Sequence, residues 1–479
     1  MKVPWSSEPW RRAAVYGLGV SGRGASSFLL RRGVEVVAFD RRRGDDFAAG
    51  ELAELEDTAG VELRLGAEPE ELPAGVDGMV VSPGVPPDRP LVRSARRRGV
   101  PVIAEVELAF PFLDGPVVAI TGSNGKSTTT ALAGAMLGAG GRRVEVCGNI
   151  GEALTDRVDG DPGRIFVVEL SSFQLEAVER FRPDSAALLN VSADHLDRHA
   201  DLESYRNAKA TIFRRQRASD VAVLNAGDPL VRTLVVPARR RFFASEEMVE
   251  DGCHPVDGAV VEVAPGAEPT ELFRTGDVPL PGPHNLENAM AAALLARSRG
   301  VAPAAIRDAL RGFRGLPHRL ERVAERDGVV FFDDSKGTNP AATLRSLEAF
   351  DDGTVHVVLG GRFKGGELDE LRAVAERKAR RAYLIGESAG LFERALGGTV
   401  AVEVSGTLER AVAAAAGAAR SGEVVLLSPA CASFDQFASF ADRGRRFQEI
   451  VRELVHASDG GDGDGDGADP RRKGGGDGP

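Results

Sequence analysis

In VVAITGSNGKSTTT, Val117 to Thr130, two glycines, a lysine and a run of hydroxyls follow a short apolar stretch and precede strong helix formers. Gly122 and Gly125 let backbone N–H groups close on phosphate oxygens, Lys126 can pair with terminal phosphates, and Ser127 can ligate Mg²⁺. Ser123, Asn124 and Thr128 complete the turn. The common phosphate loop puts four residues between its glycines; here only Ser123 and Asn124 intervene, and Ile120 holds the earlier glycine position. An ordinary strand-to-helix turn is the competing reading.

Other reactive side chains recur where apolar runs end. RIFVVELSSFQLE, Arg164 to Glu176, delivers Glu169, which can hold Mg²⁺ opposite Ser127 or cap the next helix. Asn149 sits between glycines in GNIG. SAALLNVSADHLDRH, Ser185 to His199, brings Asn190, Asp194 and His195 to a strand end, and Lys209 follows on a helix. Asn285 and Asn288 open an alanine-rich helix, where their amides can read a base edge or cap the helix. GLGVSG, with Gly17, Gly19 and Gly22, closes on Asp40 in the pattern of a dinucleotide fingerprint. That motif alone is compatible with a nicotinamide-dependent oxidoreductase or with a Rossmann-like domain that binds no dinucleotide.

Positioning these groups requires repeated β-α alternation, and the chain reads as α/β throughout. VDGMVVSPGVP is a strand that ends at Ser82, and Gly115-Pro116 marks a boundary. Arg239 to Asp277 looks like short strands. Val329 to Leu347, VHVVLGGRFKGGE and EVVLLSPACASFDQF repeat a buried strand followed by a polar loop. The reading is a Rossmann-like N-terminal domain over 1–114, a central P-loop-type α/β domain over 115–315, a Rossmann-like C-terminal domain over 316–457, and a disordered Gly/Asp-rich tail over 458–479.

A length of 479 residues with 43% hydrophobic and 27% charged residues suits a multidomain globular protein. A net charge of -11 argues against a nucleic-acid partner, although loop amides can still bind phosphate locally. The tail GDGDGDG mimics the start of a calcium loop, but Lys473 occupies the twelfth position, where a bidentate Glu is required. Cys147, Cys253 and Cys431 are far apart, with no metal or redox spacing, which fits a reducing compartment. No apolar leader or membrane-length segment stands out, so the cytoplasm and no membrane partner are expected.

Taken together, TGSNGKSTTT, GNIG, ELSSFQLE, NVSADHLDRH with RNAK, PGPHNLEN, LPHRLE, DDSKGTN, GGRFKGG and LLSPACASFDQF resemble the Mur ligases over about Arg12 to Val455. The shortened glycine spacing is shared with that family. DDSKGTN and SPACASFDQF resemble its D-glutamate-adding branch. The resemblance implies an ATP-dependent carboxylate–amine ligase that joins D-glutamate to UDP-N-acetylmuramoyl-L-alanine through an acyl phosphate in peptidoglycan precursor synthesis. A monomer is the expectation. The resemblance further implies UDP-substrate contacts at Ser21, Asp40, Ser82 and Asn149, and ATP contacts across Gly122 to Thr128 and at Asn285, Asn288, Arg319 and Asp334. Two Mg²⁺ ions would be held by Ser127, Glu169 and His195. Lys126, Glu169, His195 and Lys209 would be catalytic, with Lys209 carried as N6-carboxylysine. Thr338, Lys364, Ser433, Phe434 and Phe440 would approach D-glutamate, and Lys336 lies in the same set of motifs. Arg41 and Arg42 after Asp40, and Phe434 where leucine is common, depart from the family pattern.

Overall fold

The computed structural model describes residues 1, 9–47, 50–159, 162–192, 198–365 and 368–459, the side chains of 457–459 excepted. His195 and the tail from residue 460 onward lie outside the described residues. The chain divides into two compact units, Met1–Arg314 and Gly315–Pro479.

The first unit holds two sheets. Strands β1 (Arg12–Tyr16), β2 (Glu35–Asp40), β3 (Val61–Leu65), β4 (Gly78–Val81) and β5 (Val102–Ala104) form a parallel sheet in the order β3-β2-β1-β4-β5. The chain moves outward on one side of β1 and then resumes at β4 on the other. The loops after β1 and β4 therefore open onto one crevice, where open α/β sheets take ligands. The helix Val20–Arg31 leaves the glycine turn so closely that a Cβ on Gly22 would lie 1.8 Å from the Gly17 carbonyl oxygen.

The second sheet comprises β6 (Val117–Thr121), β7 (Val144–Gly148), β8 (Ile165–Glu169), β9 (Ser185–Leu188), β10 (Val221–Asn225), β11 (Arg239–Phe243), β12 (Gly252–Val256), β13 (Ala259–Val263) and β14 (Thr270–Arg274). Its order is β14-β13-β12-β11-β10-β9-β6-β8-β7, parallel from β7 as far as β12, with β13 and β14 antiparallel. The short strands expected over Arg239 to Asp277 thus extend the same sheet. Every residue of β6 is buried, as a strand covered on both faces requires. Val118 and Ile120 face a core completed by the helices Lys126–Ala139, Pro283–Ser298 and Pro303–Gly312. Val117 and Ala119 face the opposite way, into a core that continues through Phe28, Val15 and Val80 of the first sheet's layers.

That continuity is why the two sheets make one unit. The short helix Glu105–Ala109 follows β5 directly and lies wholly buried at the join, and the Phe112 ring meets Phe28 edge-on at 5.3 Å. Glu107 accepts hydrogen bonds from the backbone N–H groups of Glu179, Arg180 and Phe181 at 3.1, 2.8 and 2.9 Å. Glu105 Oε1 accepts one from Thr155 N–H at 2.6 Å, while its buried Oε2 has no hydrogen-bond partner among the described residues.

The second unit has one sheet: β15 (Glu321–Arg326), β16 (Val329–Asp333), β17 (Val355–Gly360), β18 (Ala379–Ile385), β19 (Val402–Gly406) and β20 (Val424–Leu427). Its order is β15-β16-β20-β17-β18-β19, parallel except for β15. Val355, Val357 and Leu359 face one core and Val358 the other, the period-two alternation of a strand buried on both sides. Because β20 inserts between β16 and β17, the polar loops that follow these three strands converge. All three cysteines are free and buried. Among the described residues, no helix is long and apolar enough to cross a membrane.

Burial pushes the Glu105 carboxyl up to about 7, against the opposing Thr155 hydrogen bonds. An acid raised in the folded state contributes stability that is fully present below its ordinary value of 4.5 and is lost as pH rises through about 7. Glu105→Gln carries no such dependence. Its unfolding free energy, obtained by scanning calorimetry, should gain on that of the wild type by on the order of 3 kcal/mol as pH rises from about 5 to about 8, with its midpoint gaining likewise. Midpoints that run parallel across that range would contradict this assignment.

Candidate active site

The phosphate turn joins β6 to the helix Lys126–Ala139, whose N-cap, Gly125, has φ +82°. A side chain there would be strained by the left-handed backbone, and its Cβ would fall 2.2 Å from Asn288 Oδ1. The first-turn N–H groups of a helix have no acceptor within the helix, so this end presents donors to an anion. Asn190 braces the turn: its carbonyl accepts from Ser123 N–H at 2.9 Å, its Oδ1 accepts from Asn124 N–H at 2.9 Å, and its Nδ2 donates to Asn124 O at 3.2 Å.

Both lysines expected here converge on the turn. Lys126 Nζ donates to the carbonyls of Gly122 and Ser123 at 2.9 Å each, and Lys209 Nζ donates to Gly122 O at 2.8 Å. Lys209 is only 1% exposed and lies 4.3 Å from the centroid of the Tyr205 ring. Ser127 is buried in the first helical turn. Asn285 and Asn288 are buried too. Asn288 Oδ1 accepts from Thr129 Oγ1 at 3.2 Å, and Asn288 Nδ2 donates to Asn285 Oδ1 at 3.1 Å. These amides therefore close on each other and on the helix of the turn rather than capping their own helix.

Glu169 ends β8 buried. Its Oε1 accepts from Asn149 Nδ2 at 2.7 Å, and its buried Oε2 has no hydrogen-bond partner among the described residues. The capping role open to Glu169 belongs instead to Ser171, whose Oγ accepts from Gln174 N–H in a capping box. A buried carboxylate oxygen with nothing to accept from suits a cation.

Asn149 also lines a cavity of about 420 Å³ at the crevice of the first sheet, together with Ser21, Asp40, Arg41, Arg42, Ser82 and Arg89. All four residues expected to meet the UDP-substrate are therefore gathered on one cavity. Ser82 Oγ donates to Gly17 O at 2.6 Å and holds the two loops together. Asp40 accepts from Leu18 N–H at 2.7 Å, from Arg42 N–H at 2.9 Å and from the Arg42 guanidinium at 3.0 Å. Burial raises the Asp40 carboxyl, but the Arg42 and Leu18 hydrogen bonds outweigh it and hold the group below its usual range. Arg41, Arg42 and Arg89 line the cavity with guanidinium donors that suit an anionic ligand, Arg42 being paired with Asp40 and Arg89 with Glu68.

In the second unit, Asp334, Lys336 and Thr338 follow β16, Lys364 follows β17, and Ser433 and Phe434 follow β20. Burial pushes the Asp334 carboxyl up to about 6, opposed by hydrogen bonds from Ser346 at 2.6 Å and Ser428 at 2.7 Å and by the charge of Arg319. Lys336 Nζ lies 4.1 Å from the Phe440 ring centroid and Lys364 Nζ 5.8 Å from that of Phe434. Phe434 is 58% exposed, whereas Ser433 is buried. His318 and Ala430, in the loops around this end of the sheet, have φ of 61° and 58°, backbone strain of the kind that collects at functional loops.

Several neighbours of the site escape a sequence reading. Arg443 is buried and ties the Ser335 and Cys431 carbonyls together at 2.9 and 3.1 Å, with its guanidinium pulled down to about 10 by burial. Tyr205 left one usable signal, since it precedes Lys209 by four residues on one helix face.

Three family models match: the Mur ligase MurD-like N-terminal domain over residues 11–104, the Mur ligase middle domain over 120–296, and the Mur ligase glutamate ligase domain over 318–431. The chain is 42% identical to a UDP-N-acetylmuramoylalanine–D-glutamate ligase of Pelotomaculum thermopropionicum, covering 93% of this chain and 98% of that one. It is 45% identical to the enzyme of that name from Anaeromyxobacter dehalogenans, covering 92% and 97%. Among solved structures, the UDP-N-acetylmuramate–alanine ligase of Thermotoga maritima shares the fold, with a TM-score of 0.57 at 19% identity over 92% of this chain and 99% of that one. On its three domain matches and its full-length relatives, the chain belongs to the Mur ligase family.

Proposed function

We propose that this protein is an ATP-dependent amide ligase that adds D-glutamate to UDP-N-acetylmuramoyl-L-alanine through an acyl phosphate, in the cytoplasmic synthesis of the peptidoglycan precursor. The observation that carries the reading is Asn149, whose amide borders the arginine-rich cavity and also donates to Glu169, the carboxylate whose buried Oε2 has no hydrogen-bond partner among the described residues. A polyanion held in the cavity thereby lies beside a cation-binding carboxylate. The relatives' names support the choice of amino acid and nucleotide sugar.

Joining a carboxylate to an amine requires an activated acyl group. The alanyl carboxylate oxygen attacks the γ-phosphorus of ATP, an O–P bond forms, and ADP leaves. The unprotonated amine of D-glutamate then attacks the acyl carbon, the amide forms, inorganic phosphate departs, and the nitrogen gives up a proton. The first step brings two anions together, so the turn's N–H groups and Lys126 have to offset their repulsion. Two Mg²⁺ ions, when bound, supply the remaining charge stabilisation on the transferring group. Ser127 and Glu169 would hold one ion and His195 the other.

Lys209 is suited to act as an anion rather than a cation. When its uncharged Nζ attacks CO₂, an N–C bond forms and a proton is released, and the resulting carbamate can support a metal ion. Its Nζ lies buried beside the turn, where such a carbamate would reach a metal ion held there, and in the unmodified lysine it donates to the Gly122 carbonyl. In the second unit, Arg319 and Asp334 are assigned to ATP, and Thr338, Lys364, Ser433, Phe434 and Phe440 to D-glutamate. The nicotinamide reading of GLGVSG falls away with membership of a ligase family.

Three outcomes follow from this reading. Purified protein should release phosphate from ATP only when UDP-N-acetylmuramoyl-L-alanine and D-glutamate are both present, and equal turnover with L-alanine or diaminopimelate as the amino acid would overturn the specificity. Lys126→Ala should lose turnover by about 10²-fold or more while its circular dichroism spectrum is unchanged. Lys209→Ala should be inactive and regain part of its rate when a short carboxylic acid is added, and an acid titration that restores nothing would count against the carbamate.

A further inference from the structure

Arg198 stands at the meeting of two parts of the first unit that the proposed chemistry has to hold in register. Its Nη1 donates to the Pro83 carbonyl at 3.0 Å, and Pro83 belongs to the loop after β4 that lines the arginine-rich cavity. Its Nη2 donates to Glu176 Oε2 at 2.6 Å, and its guanidinium lies 4.3 Å from the centroid of the Phe173 ring. Glu176 and Phe173 both lie in the segment that follows Glu169. With a side chain only 13% exposed, Arg198 is not an ordinary surface ion pair, whose worth would be small.

The next residue continues the connection toward the phosphate turn. His199 Nε2 lies 3.2 Å from Ser172 Oγ, and its ring centroid is 4.9 Å from that of Tyr205. The Tyr205 hydroxyl is 3.4 Å from Ser123 Oγ, and its ring faces Lys209 Nζ. A continuous set of contacts therefore runs from the cavity loop through Arg198, His199 and Tyr205 to the turn.

We propose that Arg198 is a positioning residue that sets the spacing between the nucleotide-sugar cavity and the phosphate turn, so that loss of its fork uncouples the two ligands without emptying either subsite. The inference rests on the ligase reading for the identity of those ligands. Neither subsite's own wall is removed when Arg198 is changed, so each ligand keeps its contacts. What changes is the alignment of the alanyl carboxylate with the terminal phosphate, which a displacement of about 1 Å is enough to spoil.

Steady-state kinetics and calorimetry on the full chain test this. Arg198→Ala should lower kcat about tenfold or more while KM for ATP and for UDP-N-acetylmuramoyl-L-alanine stays within about twofold, and Arg198→Lys should recover part of kcat. In the wild type, a non-hydrolysable ATP analogue should tighten binding of the nucleotide sugar by about fivefold, and this coupling should vanish in Arg198→Ala. An unchanged kcat, an unchanged coupling, or a fall in both affinities together with the unfolding midpoint would overturn the proposal. Absence of phosphate release by the wild type would count against the ligase reading alone, because the coupling of the two binding affinities still decides the role of Arg198.

Discussion

A glycine turn between a strand and a helix can receive phosphate only if its carbonyls and amides are held in place, and in this protein most of that restraint comes from outside the turn. Asn190 takes the backbone of Ser123 and Asn124, Lys126 and Lys209 take the carbonyl of Gly122, and Asn288 leaves no room for a side chain at Gly125. These partners come from the end of β9, from two different helices and from the alanine-rich helix Pro283–Ser298. Each buried hydrogen bond contributes only about 1 kcal/mol on its own, so the precision of the turn comes from their convergence. The rest of the first unit is arranged so that this convergence can occur.

The second constraint is the core shared by the two sheets of that unit. The apolar face of β6 away from the turn's helix is covered by layers that also cover the first sheet, and Glu107 binds three successive backbone N–H groups across the join. Burial of the apolar surface stabilises the assembly, and the carboxylate fixes its register, because three donors would otherwise be left unsatisfied. A cavity at the first sheet is thereby held beside a carboxylate at the end of β8, with Asn149 touching both. For the proposed ligase, that adjacency is the functional content of the fold: the nucleotide sugar and the activating cation are neighbours because two sheets share one interior.

Much of this was legible in the amino-acid sequence. Val117 to Thr121 is apolar at every position but its last, which is what a strand buried on both faces requires, and the residues after it have the composition of a helix start on an anion. Glu169 was identifiable as a candidate because it ends an apolar strand, where open sheets deliver side chains to ligands, and Lys209, Asn285 and Asn288 because each is a polar residue on a helix that follows a strand or a polar loop. Their alternatives were not separable at that level. Whether Glu169 caps a helix or is free to meet a cation depends on Ser171 taking the cap and on one carboxylate oxygen finding no donor among the described residues. Asp40 is similar: its ionised state and its partners, Leu18 and Arg42, depend on the loop's path in space.

The sequence by itself determined the alternation of strands and helices, the residues that end each strand, and the resemblance that names their chemistry, because periodicity and turn composition are local properties. Tertiary structure alone decided which of those ends meet. It inserted β20 between β16 and β17, buried Arg443 under the loops of the second unit, and joined Arg198 to Pro83 across 115 residues of chain. Such contacts are set by sheet order and by the packing of distant layers, which no window of neighbouring residues contains.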